Sequence, residues 1–455
     1  MKLLSPEAWT AHQGRFIALW TDATHAYALY EPGELVAVEL QGGAYPALRY
    51  LGANWFQRLA KDLNGHTATG FAETRTAIEH FREPDGRATW PECTAPHVEG
   101  VHQVAVGPVH AGIIEPGHFR FSVVGEQVLK LQARLGYAHK GTLGLIRGKS
   151  ARQAARYAAR LSGDATVAHA IAFARAAEAA LAMQVPERAV YLRAVMAEIE
   201  RLANHTSDIG AIAGDAGFAF LDARFALLRE HLCAAAFIAF GHRLMMDIVV
   251  PGGVAGDIAE GGADAIEDAL DVLERELPSL TRVFEDYASL QDRVVGAGLV
   301  PPELAAAYNA GGYVGRASGQ GGDTRLAPGY PPYDTLGLAV PVAQEGDVAA
   351  RIKIRLEEIP ESIRLVRAIL ERLPEGPVAL APGAASGMGL GVAESFRGPV
   401  WHWLKIDNGL IQDAFVADAS TLHWPLLEHA ATTAILADFP LINKSINGSY
   451  SGVDL

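Results

Sequence analysis

The spacing of apolar residues along the chain predicts a mostly helical protein with strands near both ends. Apolar residues recur at helical spacing in six long segments, at 147–161, 164–183, 187–207, 218–249, 263–291 and 347–373. Short apolar runs separated by glycines predict strands within 377–406. This pattern indicates an α+β protein that is mostly α.

Residues 1–95 have a different pattern, which predicts a small α+β domain ahead of the main one. Strands are predicted at 16–20 and 35–40, and an amphipathic helix at 55–63. A segment at 82–96, rich in proline, glycine and charge, predicts the linker to the second domain, 96–455.

Two strand-like runs within 101–126 flank a segment that concentrates polar residues. This predicted loop holds His110, Glu115, His118 and Arg120. Proline and glycine beside these residues exclude a regular helix. Two imidazoles, a carboxylate and a guanidinium within eleven residues favour a functional site. A hairpin turn with solvated polar side chains fits the same pattern.

Polar residues also occur on two of the predicted helices. Ser162 suits the N-cap of the helix at 164–183, which places His169 on a face otherwise built from alanines. A histidine in that position is more often a core residue with satisfied hydrogen bonds than a ligand. The next helix carries five polar residues, Glu198, Glu200, Arg201, Asn204 and His205. That face fits a salt-bridged surface as well as a functional one.

Residues 294–333 are rich in glycine, proline and tyrosine, which predicts a loop region. Arg316, Asp323 and Arg325 place charges on this segment, as binding loops often do. The segment lacks the strand–GxGxxG–helix context of a dinucleotide fold and the GxxxxGK[ST] of a P-loop. Residues 394–398 predict a turn that carries one acid and one base.

Composition excludes several classes of protein. The formal net charge is −14, which argues against nucleic-acid binding because that function needs a basic surface. Only two cysteines occur, Cys93 and Cys233, without a CxxC motif. This excludes an iron–sulfur cluster held by this chain alone and a thiolate zinc finger. The longest clean apolar run, 232–240, is too short to cross a bilayer, so we expect membrane association only through a partner.

The last eleven residues, SINGSYSGVDL, follow an apolar-rich segment at 430–442. Chain termini are usually frayed and polar. This terminus is instead predicted to enter the interior of the protein.

Several motifs occur in the order found in one superfamily. They are GPVHAGIIEPGHFRF, GYAHKGTLGL, EIERLANH, PGGV, RASG with DTR, and ESFRGPVWHW. Over about residues 100–455 the chain resembles the large subunit of energy-converting (group 4) nickel–iron hydrogenases and the homologous 49-kDa quinone-site subunit of respiratory complex I. Residues 1–90 more weakly resemble the 30-kDa complex I subunit, mainly through WFQRLAKDLNG. The resemblance implies a hydrogenase large-subunit-like helical core with peripheral β-structure.

In the hydrogenases that the chain resembles, four thiolates from two CxxC motifs hold nickel and iron. The frame of both motifs is present here, but the four positions are Ser162, Ala165, Ser449 and Gly452. Hydroxyls, a methyl group and a hydrogen cannot replace the soft thiolates that such a centre needs. The resemblance therefore implies a subunit without a nickel–iron centre.

Two further departures agree with this implication. Leu143 stands where the family's RGxE segment carries a glutamate associated with proton transfer. The sequence also stops at Leu455, without the C-terminal extension that many hydrogenases remove after nickel insertion. We expect a changed role and not one damaged motif.

In the complex I subunit the same cavity, without metal, holds a quinone headgroup, which a loop histidine and a helix tyrosine hydrogen-bond. His110 corresponds to that histidine, whereas Gly163 stands at the tyrosine position. Tyr157 and Tyr450 are the candidates to supply a phenol instead. Ser162, His169, Ser449 and Tyr450 would line a polar cavity. Buried polar groups need partners, so such a cavity should hold a small ligand, water or only its own side chains.

The resemblance implies that electrons pass from a neighbouring iron–sulfur cluster to a quinone or another small acceptor, with no further cofactor bound by this chain. His110, Glu115, His118 and His169 are the predicted proton donors or ligand contacts. Arg120 and Arg160 would bias the local charge, and Ser162, Ser449 and Tyr450 would contact the ligand.

The implied partners are a small iron–sulfur subunit, a membrane subunit resembling the quinone-tunnel subunit of complex I, and antiporter-like membrane subunits as further candidates. The implied location is the cytoplasmic face of the cell membrane. The competing hypothesis is a structural scaffold without redox chemistry, which couples the partner subunits. A third hypothesis, an active nickel enzyme with oxygen and nitrogen ligands, is disfavoured because such ligands favour other metals.

Overall fold

The computed structural model describes residues 1–73, 75–78, 93–110, 114–381, 383 and 385–455. Helices make up 46% of the structure and the sheets are small, which confirms the predicted α+β, mostly α class.

The first unit of the fold is a four-stranded sheet with two helices. Its elements are β1 (Lys2–Leu3), α1 (Pro6–Ala11), β2 (Phe16–Thr21), β3 (His25–Tyr30), β4 (Glu34–Glu39), β5 (Ala44–Pro46), α2 (Ala53–Asn64) and β6 (Thr67–Thr69). The sheet has the order β1-β4-β3-β2, and β5 pairs with β6 separately. Strands β2 and β4 and helix α2 confirm the predicted elements. Strand β3 was missed, because a strand buried on both faces lacks the polar–apolar alternation that marks a half-exposed one.

The predicted linker at 82–96 lies outside the described residues except for 93–96, which form no helix or strand. A three-stranded antiparallel sheet follows, formed by β7 (His102–Val106), β8 (His118–Val124) and β9 (Gln127–Arg134). The prediction that His118 and Arg120 lie in the loop is wrong, because both belong to β8. Phe119 and Phe121 alternate with them and pack into the core, so the segment has the period of a strand.

The centre of the molecule is helical. Its elements are α3 (Thr142–Ile146), α4 (Ala151–Ala158), α5 (Thr166–Ala180), α6 (Glu187–Asp215), α7 (Ala219–Phe240), a small hairpin of β10 (Val249–Val250) and β11 (Gly253–Val254), α8 (Gly262–Asp286), α9 (Ala288–Val294), α10 (Pro302–Ala307), α11 (Gly312–Ala317) and α12 (Val348–Glu371). The long helices were predicted, but α7 ends earlier than expected, at Gly241. That residue adopts a left-handed conformation, which closes the helix.

The structure bears on three local predictions in this region. Ser162 does not cap α5, whose N-cap is Ala165 without a side-chain hydrogen bond. The polar face of α6 is not a surface, because Glu198, Arg201 and His205 are buried. The segment at 294–333, predicted as a loop region, contains α10 and α11, and its charged residues Arg316, Asp323 and Arg325 are buried.

The last part of the chain returns to the N-terminal unit. Its elements are β12 (Gly387–Ser395), β13 (Gly398–Asp407), β14 (Leu410–Ala417), α13 (Ser420–Ala430), α14 (Phe439–Ile446) and α15 (Ser451–Asp454). The predicted short strands are one long antiparallel hairpin with a third strand. Glycines at 387, 389 and 391 let β12 lie directly on α5, since a Cβ there would clash with α5 backbone atoms.

The chain terminus enters the interior as predicted, with Tyr450, Asp454 and Leu455 all buried. The N-terminal unit also shares a hydrophobic core with the C-terminal sheet. The Trp20 ring stacks on Phe415 at 5.0 Å between centroids. Residues 1–78 therefore pack firmly on the main body, and the division into domains 1–95 and 96–455 stays a prediction. Among the helices that the structure describes, none is long and apolar enough to cross a membrane.

Candidate functional site

The four positions at which the resemblance implies thiolates in hydrogenases lie together in the interior. We call Ser162, Ala165, Ser449 and Gly452 the central site. The Ser162 and Ser449 hydroxyl oxygens are 2.8 Å apart, so one donates to the other. The Gly452 amide donates to Ser449 Oγ at 3.0 Å. The Ala165 amide donates to the Ser162 carbonyl at 3.2 Å. The fold thus brings the two distant motifs into direct contact.

The start of helix α5 positions the first half of the central site. The Glu200 carboxylate on α6 accepts hydrogen bonds from the Val167 and Ala168 amides at 2.7 and 3.0 Å. These are amides of the first turn, which have no partner inside the helix. Burial raises the pKa of Glu200 to about 8. The tie between α6 and α5 fixes the turn that presents Ser162.

Arginines hold both halves of the central site. Arg397 donates to both carboxylate oxygens of Asp164, at 2.8 and 2.5 Å. Burial opposes ionisation of Asp164, but Arg397 outweighs it and lowers the Asp164 pKa. Arg355 donates to the Ser445 carbonyl at 2.8 Å, and Arg351 donates to the Ser445 hydroxyl at 3.0 Å. The C-terminal segment is therefore fixed by charged hydrogen bonds.

His169 belongs to the same polar group but does not reach the serines directly. Its Nε2 lies 3.1 Å from Asp418 Oδ2, and its Nδ1 lies 3.2 Å from His402 Nε2. Burial, with His169 beside it, holds the pKa of His402 well below its usual value. Asp418 accepts from the Ser420 amide at 2.7 Å, and Ser420 Oγ accepts from the Ser449 amide at 2.9 Å. His169 is thus a buried histidine with satisfied hydrogen bonds.

The central site does not fit a nickel–iron centre. Its side chains offer two hydroxyls and no thiolate, and the hydroxyls are already bonded to each other. A Cβ at Gly452 would lie 2.8 Å from Asp418 Oδ2 and 2.9 Å from Ser449 Oγ. Over the described ranges, no group of three or more His, Cys, Asp and Glu side chains is arranged to hold a metal ion.

Tyr450 faces away from the serines, toward the segment after β7. Its ring packs against Trp424 at 4.7 Å between centroids, and His110 lies at 6.4 Å from it. Gly117 leaves room for the Tyr450 ring, because a Cβ at position 117 would clash with that ring. Tyr157 lies elsewhere, beside Lys149 and Arg156. Of the two candidate phenols, only Tyr450 is close to His110. Burial lowers the pKa of His110 and raises that of Tyr450.

Sequence reasoning missed a buried carboxyl group near Tyr450. Asp454 Oδ2 accepts from the Ala138 amide at 2.9 Å. Burial raises the pKa of Asp454 to about 7. Glu115 lies at the edge of this region and accepts from the Ser451 amide at 3.0 Å. The signal available in the sequence was an aspartate near the C-terminus, after an apolar segment. The sequence did not reveal the surroundings of this aspartate.

The remaining predicted site residues lie apart from the central site. His118 is buried under the sheet, with Nδ1 3.4 Å from the Gly107 carbonyl, and burial lowers its pKa. Arg120 lies on the same strand, opposite Gln132 on β9. Arg160 is half-exposed and pairs with Asp247 at 2.6 Å. The predicted roles of these three residues stay predictions.

A second buried polar group, the ion cluster, joins α6, α11 with the segment after it, α12 and the end of β12. Its members are Glu198, Arg201, His205, Arg316, Asp323, Arg325, Glu358 and Glu394. Arg316 contacts Glu358 at 2.7 Å, Asp323 at 3.2 Å and Glu394 at 3.3 Å. Burial, with Asp323 nearby, raises the pKa of Glu394 to about 7. The charges predicted to be exposed are thus partners of one another.

Comparison of the sequence with known proteins finds matches in one family. Residues 220–388 match the family described as the 49 Kd subunit of respiratory-chain NADH dehydrogenase, and residues 140–207 match the nickel-dependent hydrogenases. Formate hydrogenlyase subunit 5 of Escherichia coli (strain K12) is 28% identical over 92% of this chain and 78% of its own length.

Two further relatives represent both branches of the family. The membrane-bound hydrogenase subunit alpha of Pyrococcus furiosus is 28% identical over 68% of this chain and 76% of its own length. An NADH-quinone oxidoreductase subunit of Roseiflexus sp. (strain RS-1) is 32% identical over 60% of this chain and 73% of its own length. The chain therefore belongs to the family of the complex I 49-kDa subunits and the nickel-dependent hydrogenase large subunits, as a complex I-like, hydrogenase-related subunit.

Proposed function

We propose that this chain is a large subunit without a nickel–iron centre in a membrane-associated complex. It receives electrons from a neighbouring small iron–sulfur subunit and passes them to a quinone or another small acceptor. The observation that carries the proposal is the central site, in which the Ser162 and Ser449 hydroxyls bond to each other at 2.8 Å. This pairing of hydroxyls supports a site without a metal, and the neighbouring rings of His110 and Tyr450 supply groups suited to a polar ligand.

The assembly follows from the same proposal. The chain contacts a small iron–sulfur subunit and a membrane subunit resembling the quinone-tunnel subunit of complex I, and antiporter-like subunits are further candidates. It lies at the cytoplasmic face of the membrane through these partners. Support comes from the names of its relatives, which include a membrane-bound hydrogenase subunit and an NADH-quinone oxidoreductase subunit.

His110 and Tyr450 are the side chains proposed to hold the carbonyl end of the acceptor. The lowered pKa of His110 keeps its imidazole neutral near pH 7, so one ring nitrogen can donate and the other accept. Reduction of a quinone to a quinol takes two electrons, which the partner's cluster supplies, and two protons. Asp454, with a pKa of about 7, is a group near Tyr450 that can release and recover a proton at that pH.

The second candidate function is a scaffold without redox chemistry. The direct Ser162–Ser449 hydrogen bond favours it, because side chains then fill the space that a ligand would need. As a scaffold, the chain uses its charged residues only to bind the partner subunits and keep them in one arrangement.

Metal and quinone analysis of the purified complex separates these functions. Both are normalised to the amount of this chain. The proposal expects iron from the partner's clusters, nickel far below stoichiometric, and co-purifying quinone. Stoichiometric nickel would refute the first claim. Absence of both nickel and quinone would favour the scaffold.

Variants test the roles of the side chains. We expect His110→Ala to lower the rate of electron transfer to a quinone by about tenfold or more, because a positioned hydrogen-bond and proton-transfer group is lost. His231→Ala on the exposed side of α7 is the matched control and should keep the full rate. An unchanged rate in a folded His110→Ala complex would contradict the role of His110.

A further inference from the structure

A large cavity separates the N-terminal unit from the β7–β9 sheet. Its volume is about 640 Å³, which lies within the range of small-molecule sites, roughly 300–1,000 Å³. Helix α2 and the segment after it form one wall, β9 forms the second, and α13 forms the third. The proposed redox function does not use this cavity.

Strand β9 turns a polar face toward the cavity. Lys130, Gln132 and Arg134 alternate along the strand and line the cavity, together with Leu131 and Ala133 between them. Three polar side chains at alternating positions, two of them almost fully buried, are unusual on a strand. The N-terminal unit adds Arg58 from α2 on the opposite wall.

Positive charge exceeds negative charge along the lining. Five cationic residues line the cavity, Arg49, Arg58, Arg75, Lys130 and Arg134, with one carboxylate, Glu428. Outside the lining, Glu73 pairs with Arg75 at 2.5 Å. Cations therefore outnumber carboxylates among the described residues of the lining. The whole chain has a net charge of −14, so this local excess opposes the general trend.

Two of these cations donate to neutral oxygens. Arg58 Nε donates to the Arg75 carbonyl at 2.9 Å, and a second nitrogen of Arg58 donates to the Thr76 carbonyl. Lys130 Nζ donates to the Thr94 carbonyl at 3.1 Å and to its hydroxyl at 2.8 Å. Neither side chain forms an ion pair with any carboxylate that the structure describes. Their charges are therefore available to an anion in the cavity.

The titration of the lining groups supports an excess of positive charge. Burial lowers the pKa of Arg58 to about 10, and Arg75 nearby adds to this effect. Burial likewise lowers the pKa of Arg134. An anion between the walls would offset both effects, because it favours the charged forms.

Gln132 supplies a separate indication of a ligand. Its side chain is 7% exposed and lines the cavity, yet Oε1 has no hydrogen-bond partner among the described residues. A buried amide oxygen without a partner is unfavourable, because it has lost its hydrogen bonds to water. A hydroxyl or amine donor on a bound molecule would satisfy it.

We propose that this cavity binds a small molecule with two or more carboxylate or phosphate groups and at least one hydrogen-bond donor. Arg58 and Lys130 bind the anionic groups from opposite walls, and Gln132 accepts from the donor. Trp424 in the third wall also donates to the Ser449 carbonyl at 3.1 Å, so the ligand lies one side chain from the central site.

Titration calorimetry on the purified full-length chain tests the proposal. The probes are citrate, which carries carboxylates and a hydroxyl, and pyrophosphate, which carries phosphates; acetate at matched ionic strength is the control ligand. We expect one-to-one binding of citrate or pyrophosphate in the millimolar range or tighter, and none of acetate. The stronger probe identifies carboxylate or phosphate as the preferred chemistry. Absence of binding by both would overturn the proposal.

Three variants locate the binding. Lys130→Gln removes a charge and should weaken binding about tenfold, as expected for one charged hydrogen bond. Gln132→Glu keeps the shape of the side chain but repels an anion, so it should weaken binding by at least as much. Arg282→Gln, on the exposed side of α8, removes one charge elsewhere and should leave binding unchanged. Equal binding by all four folded proteins would place the anion elsewhere and overturn the proposal.

Discussion

The central site and the ion cluster are both buried and polar, but they are stabilised differently. The central site depends on short contacts between small groups, such as the Ser162–Ser449 hydrogen bond and the bare Cα of Gly452. The ion cluster depends on full charges: Arg316 alone contacts three carboxylates. One region is sensitive to volume and the other to charge.

Buried polar groups therefore have two different roles in this fold. Three arginines and four carboxylates in the ion cluster tie α6, α11 and α12 to the end of β12. Four less three leaves one carboxylate in excess, and the raised pKa of Glu394 supplies the balancing proton. The central site carries no such charges on its four residues. We infer that the helical frame is kept by the cluster, while the central site is free to differ from the related hydrogenases.

The largest expected effect is the loss of the central cation of the ion cluster. Arg316→Met should lower the free energy of unfolding by about 3–5 kcal/mol, because it leaves buried carboxylates uncompensated. Urea or guanidinium unfolding measures this change. Arg243→Met, which breaks the exposed pair with Glu230, is the control and should cost less than about 1 kcal/mol. Similar costs for both variants would contradict the distinction between buried and exposed pairs.

An intermediate effect is expected from adding one methyl group to the central site. Gly452→Ala should cost about 1–3 kcal/mol, because its Cβ would lie 2.8 Å from Asp418 Oδ2, which His169 holds in place. Gly163→Ala is the matched control in the same site region. No atom lies within 4 Å of its Cβ position, so it should change stability by less than about 0.5 kcal/mol. The same unfolding measurement compares them, and equal values would show that volume does not limit the site.

The smallest effect for a single step of the measurement, one pH unit, concerns the titration of Glu394. The pKa of Glu394 is raised from 4.5 to about 7 in the folded protein, so the folded state keeps a proton that the unfolded chain releases. Its stabilisation is fully present below about pH 4.5 and is lost as the pH rises to about 7. The stability difference between wild type and Glu394→Gln should therefore fall with pH in that window, by at most about 1.4 kcal/mol per pH unit.

Unfolding curves at several pH values test this slope. Histidines with lowered pKa values titrate in the same window, but they are common to both proteins and cancel in the difference. Glu357→Gln is the control, because Glu357 is exposed and pairs only loosely with Lys353 at 3.9 Å. A flat difference for Glu394→Gln would mean that Glu394 does not hold the proton.

Much of the secondary structure could be predicted from local pattern. The helix α2 and the long helices α6, α8 and α12 have apolar residues at helical spacing, and the structure confirms them. The buried strand β3 was missed because its polar and apolar residues do not alternate. The loop assignment of His118 and Arg120 was wrong because two polar residues alternating with apolar ones are a weak signal of a strand.

The sequence by itself determined the family, the mostly helical class and the residue types at the four motif positions Ser162, Ala165, Ser449 and Gly452, because these depend only on residue types at fixed spacing. Only the tertiary structure decided where the polar residues lie. Glu198 and Arg325 are 127 positions apart in the chain but 3.0 Å apart in space, so no local pattern reveals that they form a buried pair. The partners of His169, which are Asp418 and His402, were hidden for the same physical reason.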